Sequence, residues 1–145
     1  EVLVSVTEYD LVEIYARAWN RLDFAVVEPY LDDQVVYESQ EILSPLEGKL
    51  AVSEYLRAKF ATIRKTIWKS QVYAEVGHCG TQDGIKVQVL SAEPFRPCVL
   101  MAQGDPNKVL ALVLLATEAD KIKRVDICTV APHPSSAIRS GVYPA

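Results

Sequence analysis

The sequence predicts an α+β domain: three N-terminal helices covering one face of a curved antiparallel sheet. Two periodicities carry that reading. Apolar residues recur at helical spacing early in the chain, and from Thr66 onward the period changes to two. Helices gathered ahead of a strand meander must bury their apolar stripe on the sheet it forms. A third observation is the absence of any repeat, low-complexity run or Gly/Ser linker, so residues 1–145 read as a single domain.

The first helix opens with Thr7 and Asp10, a capping-box pair with Asp in the place of Glu. Leu11, Ile14, Tyr15, Ala18 and Trp19 then share one face, with Glu13, Arg17 and Arg21 elsewhere. A short second helix is expected from Asp23 to Leu31, with Pro29 as an awkward guest near its end. Asp32-Asp33 breaks it. Val35 to Ser39, rich in β-branched and aromatic residues, reads as a strand. After a loop through Pro45, Gly48 opens a third helix carrying Leu50, Tyr55, Leu56, Phe60 and Ile63. Arg64 and Lys65 close it, where cations suit the helix dipole.

From Thr66 the set Trp68, Ser70, Val72, Ala74 and Val76 alternates with Ile67, Lys69, Gln71, Tyr73 and Glu75, predicting a strand with one buried face. Gln82-Asp83-Gly84 predicts a hairpin turn, followed by a strand through Ile85, Val87 and Val89. Pro94 and Pro97 predict a kink before Cys98 to Ala102. Gly104 to Asn107 reads as a turn. Lys108 to Thr117 reads as a strand apolar on both faces, and Ile122 to Val130 as the last strand. The tail 131–145 holds three prolines and is expected to run irregularly over the surface.

Half of the residues are hydrophobic, 23% are charged, and the formal net charge is −4. Hydrophobicity at that level excludes a disordered chain. The acidic balance, with no clustered excess of Lys or Arg, argues against a nucleic-acid partner. The longest strongly apolar stretch, Val109 to Thr117, is far short of the roughly 20 residues of a membrane span, so no membrane partner is expected. The sequence opens on Glu1 with no basic-then-apolar leader. Three cysteines, Cys79, Cys98 and Cys128, make no disulfide framework, and a reducing cytoplasm is the expected compartment. Two histidines, His78 and His133, without ligand spacing, predict no metal site, and no phosphate loop, dinucleotide fingerprint or other cofactor motif occurs.

The run Tyr15-Ala-Arg-Ala-Trp19 with Asp23, then Tyr30-Leu-Asp-Asp33, Val35 to Ser39, Leu46-Glu-Gly48, Ala51-Val-Ser-Glu-Tyr55 and the Lys121-Ile122 strand start resembles the nuclear transport factor 2-like superfamily, in its ketosteroid isomerase and polyketide cyclase branch. The resemblance spans nearly the whole chain up to Ala131. It implies a cystatin-like cone: a bent sheet wrapped over the helices, with an apolar pocket at the open end and dimers through the outer sheet face. It is specific for fold and weak for function.

Ketosteroid isomerases pair a Tyr with a protonated Asp around an enolate and use a second Asp as proton shuttle. By ungapped correspondence the Tyr falls on Tyr15, the shuttle on Ser39 with Glu38 beside it, and the second Asp near Leu112. One of three groups remains, and Glu38 serves as a base only after a one-residue register slip. Epoxide hydrolases of this fold need an Asp-Arg-Asp network. Asp126 is the candidate, yet Val125, Ile127 and Thr129 match the positions facing the pocket, which turns Asp126 outward with Arg124 and Cys128. His78-Cys79, bracketed by glycines, is a further nucleophile pair that would need a turn.

The expectation is therefore a protein that binds a small, largely apolar molecule. Its pocket walls are Tyr15, Trp19, Tyr37, Trp68, Ile127 and Thr129. The rival is an isomerase, cyclase or hydrolase with catalytic residues drawn from Tyr15, Glu38 and Asp126. A third reading is a dimeric interaction module whose cone is filled by side chains. Because Val109 to Leu115 is apolar on both faces, the outer face is expected to pack on a second copy of the chain.

Overall fold

The computed structural model describes residues 6–41, 44–69, 71–80 and 95–145. Helix α1 spans Glu8–Arg21 and is capped as its sequence predicts: the Asp10 amide donates to Thr7 Oγ1 at 3.1 Å, and the Thr7 amide to Asp10 Oδ2 at 3.0 Å. Leu11, Val12, Tyr15, Ala16, Ala18 and Trp19 are buried along it. Leu22, in the left-handed region at φ 51°, ends it.

The expected second helix is instead two 3-10 turns, Phe24–Val26 and Glu28–Tyr30. Asp23 caps the first through the Ala25 amide. Pro29 has no amide to extend that ladder, so a new turn starts there. Strand β1 (Leu31–Ser39), the two-residue β2 (Leu46–Glu47) and helix α2 (Lys49–Lys65) follow.

Strand β3 begins at Val72 and runs to Gly80, later than expected. The Thr66 amide donates to the Ile63 carbonyl and the Lys69 amide to the Thr66 carbonyl, so residues 66–69 prolong the helix end as turns. An alternating side-chain pattern there is not matched by a ladder partner; pairing starts at Val72 opposite Gln103. Strands β4 (Phe95–Gln103), β5 (Val109–Glu118) and β6 (Lys121–Cys128) complete an antiparallel run. The expected hairpin at 82–84, the strand through Ile85 to Val89, and Pro94 lie outside the described residues. Pro97 sits within β4 opposite His78, and the irregularity falls later, between Met101 and Ala102.

Two features depart from a pure antiparallel meander. Strand β1 pairs with β6 in parallel, matching Tyr37 with Val125, Glu38 with Asp126 and Ser39 with Ile127. The tail is not irregular throughout: after a 3-10 turn at Pro134–Ser136 it adds β7 (Ile138–Val142) to the free edge of β3. The curved seven-stranded sheet has the order β2-β1-β6-β5-β4-β3-β7. To reach β7 from β6 the chain crosses the sheet. Gln40 steadies the departure, its Oε1 accepting from the amides of Thr129 and Val130 at 2.7 and 2.6 Å. Glu75, buried in β3, receives Arg139 Nε at 2.8 Å and the Gly141 amide at 2.7 Å.

The core divides along the sheet. On one face, α1 and α2 bury Tyr15, Trp19, Leu56 and Phe60 against Val76, Val99, Val113 and Leu115. The other face buries Cys79, Cys98, Leu100, Leu112, Leu114 and Cys128, with Ala137 of the crossing tail packed against them. The outer residues of β5 are thus covered within one chain. Their burial needs no second copy, because the tail supplies cover that the sequence pattern assigned to a partner. Among the described residues no helix is long and apolar enough to cross a membrane.

Candidate binding cavity

A cavity of about 510 Å³ opens between α1, α2 and the concave side of the sheet. That volume is within the range of small-molecule sites. Helical spacing puts Tyr15 and Trp19 on one face of α1, and both line it. Alternation along β1 turns Tyr37 and Ser39 inward, and on β6 and just beyond it Ile127 and Thr129 do the same. Met101, Val113 and Val72 add apolar wall.

The cavity grades from a buried end to an exposed one. Tyr15, Tyr37 and Trp19 are 1, 3 and 5% exposed. Glu41, Lys59, Gln103 and Leu110 also line it and are exposed. None of these four was singled out by sequence. The one available signal was Tyr55 with Lys59, four apart on α2, where the ammonium stands 5.7 Å from the Tyr55 ring centroid. Tyr55 in turn lies 5.4 Å from the Tyr37 ring.

The buried end holds two polar atoms without an aligned hydrogen-bond partner: the Tyr15 hydroxyl and Trp19 Nε1. Such groups are uncommon, because an unpaired buried donor costs about 1–3 kcal/mol. Burial pushes the Tyr15 phenol well above its ordinary value, the Trp19 indole offsetting part of the shift and Tyr55 adding to it. Burial also raises Tyr37, with smaller contributions from Tyr15 and Tyr55. Both phenols therefore keep their protons at neutral pH.

The candidate catalytic carboxylates stand outside the cavity, and one expected wall, Trp68, is corrected. Glu38 and Asp126 do not line the cavity. They alternate with residues that do, and they meet on the opposite face around Arg124. The guanidinium donates to Asp126 Oδ1 at 3.0 Å and Oδ2 at 3.1 Å, and also to Glu38 Oε1. Burial raises the Asp126 carboxyl above its usual range while Arg124 pulls it down. Trp68 is 79% exposed on the turn after α2 and is not a cavity wall. The His78-Cys79 pair also stays apart: His78 stacks on Tyr9, while burial pushes up the Cys79 thiol, Arg96 offsetting part of the shift. A thiol held neutral is not an activated nucleophile.

No family model matches the chain, and no curated protein matches it. Solved structures do. A nuclear transport factor 2-like protein of unknown function from Cytophaga hutchinsonii superposes with a TM-score of 0.52 at 14% identity, over 88% of this chain and 93% of the other. The chain has the nuclear transport factor 2-like fold. A SnoaL-like protein of unknown function from Burkholderia thailandensis gives 0.52 at 17% identity, over 95% of this chain and 100% of that one. An uncharacterized cystatin fold protein from Novosphingobium aromaticivorans gives 0.50 at 20% identity, over 87 and 99%. Identities this low speak to the nuclear transport factor 2-like fold alone.

Proposed function

We propose that the chain binds a small, largely apolar molecule that carries a hydrogen-bond acceptor. The observation behind this reading is that Tyr15 and Trp19, which help line a mostly apolar cavity, carry two buried donors, Tyr15 Oη–H and Trp19 Nε1–H, without an aligned hydrogen-bond partner. An acceptor such as a ketone oxygen that reaches these groups supplies the aligned hydrogen bond that they lack. A charged group at that end is disfavoured, since no described residue of opposite charge stands there to offset its desolvation.

The carboxylate-base reading has less support. Among the described residues the cavity has one lining carboxylate, Glu41, and it is exposed. An interaction module with a filled cone has less support too, given the cavity volume. A homodimer through the outer face loses its chief motive, since Leu112 and Leu114 are already buried.

The test is a matched panel of apolar ketones and the corresponding hydrocarbons, titrated against the wild type and Tyr15→Phe. The expected result is tighter binding of the ketones, with that preference reduced roughly tenfold in Tyr15→Phe. Equal affinity for ketone and hydrocarbon, or an unaltered preference in Tyr15→Phe, overturns the reading.

A further inference from the structure

The whole-chain charge of −4 conceals a local reversal. Residues 55–74 contain five cations and no Asp or Glu. That run covers the second half of α2, where Arg57, Lys59, Arg64 and Lys65 are exposed, and ends in the turn between α2 and β3. Ile67 and Trp68, consecutive residues at the tip of that turn, are 44 and 79% exposed. Lys65 and Lys69 flank them; both are exposed, and neither has an ion pair among the described residues. The Lys69 ammonium stands 5.1 Å over the Trp68 ring. Arg64 braces the base of the tip by donating to the Leu22 carbonyl.

We infer that this tip docks on an anionic lipid surface. A tryptophan beside lysines suits the headgroup layer, where the ring meets acyl chain and the ammonium groups meet lipid charge. An exposed apolar pair flanked by two ammonium groups without an ion pair among the described residues matches such a layer in both hydropathy and charge. The position adds to the argument. The turn joins Ile63 to Val72, and both of these line the cavity. Docking therefore brings one wall of the cavity next to the phase in which apolar molecules concentrate. The interaction itself depends on no occupant of the cavity.

The intact chain is sedimented with phosphatidylcholine liposomes, with and without phosphatidylserine. Expected is binding to the phosphatidylserine vesicles that salt weakens, and a blue shift of tryptophan emission. The chain has two tryptophans and Trp19 is buried, so the shift belongs to Trp68 and disappears in Trp68→Phe. The double variant Lys65→Ala/Lys69→Ala loses roughly 30-fold in partition, about tenfold for every 1.4 kcal/mol lost. Both positions are exposed, and an unchanged circular dichroism spectrum shows that the fold is kept. No sedimentation overturns the inference. So does double-variant binding equal to wild type, a blue shift that persists in Trp68→Phe, or binding to polyglutamate without binding to vesicles. Tyr15→Phe is expected to bind vesicles as the wild type does, which separates this result from the cavity reading.

Discussion

Ser39 stands opposite Ile127 where β1 and β6 run in parallel, and both line the cavity. Glu38 and Asp126, one residue earlier on each strand, are paired in the same register and so share the other face. One register decides which residues can meet a ligand and which cannot.

Asp126 on that outer face is 5% exposed and depends on Arg124 for its charge partner. Arg124→Ala is expected to destabilise the fold by about 2 kcal/mol, because a buried carboxylate loses charged hydrogen bonds. Asp126→Asn is expected to cost less, since the amide needs no counter-charge. Urea unfolding curves of both variants check the order. Neither change should alter ketone binding.

Tyr15→Phe removes a buried hydroxyl that makes no aligned hydrogen bond. Its stability is expected to lie within about 1 kcal/mol of the wild type, and on the stabilising side. Loss of ketone preference without loss of stability is the signature of a group kept for a ligand. Thermal denaturation beside the binding titration measures both.

Tyr15 and Tyr37 have folded-state values raised above the ordinary 10.0. Above about pH 10 the unfolded chain sheds phenolic protons that the folded chain retains. Their contribution to stability is therefore full below that pH and falls as pH rises. A spectrophotometric titration of the seven tyrosines should show two that ionise only with unfolding. Seven tyrosines titrating together near their ordinary value in the folded state would contradict this.

Gly77 sits where β3 passes beneath Leu100 and the incoming tail. A Cβ there would come within 2.8 Å of Leu100 Cδ1 and 2.9 Å of the Ile138 carbonyl oxygen. Gly77→Ala is expected to cost about 1–3 kcal/mol by overpacking. The strain should appear first as β7 lifting off, read as faster amide exchange along Ile138–Val142, the strand paired with the β3 edge.

Local chemistry was legible without coordinates. The Thr7–Asp10 cap and the α1 face carrying Tyr15 and Trp19 follow from capping chemistry and a period of 3.6, which a short window of sequence contains, while the inward placement of Ile127 and Thr129 is implied by the resemblance to the superfamily. Trp68 shows where that method stops. Alternation was present around it, but a strand also needs a partner for its backbone, and the Thr66 and Lys69 amides had already found theirs in the helix end.

By itself, then, the sequence determined an α+β domain, its principal helices, and one aromatic face able to line a cavity. Tertiary structure decided the rest through contacts far apart in the chain. It set β1 parallel to β6 in a register that brings Glu38 beside Asp126 on the outer face. It brought Glu41, Lys59 and Gln103 to one rim from three separate elements. It also laid the tail over Leu112 and Cys128, although β7 itself is exposed along its length. Edge pairing of that kind is made by backbone groups that every residue carries, so side-chain pattern holds no record of it.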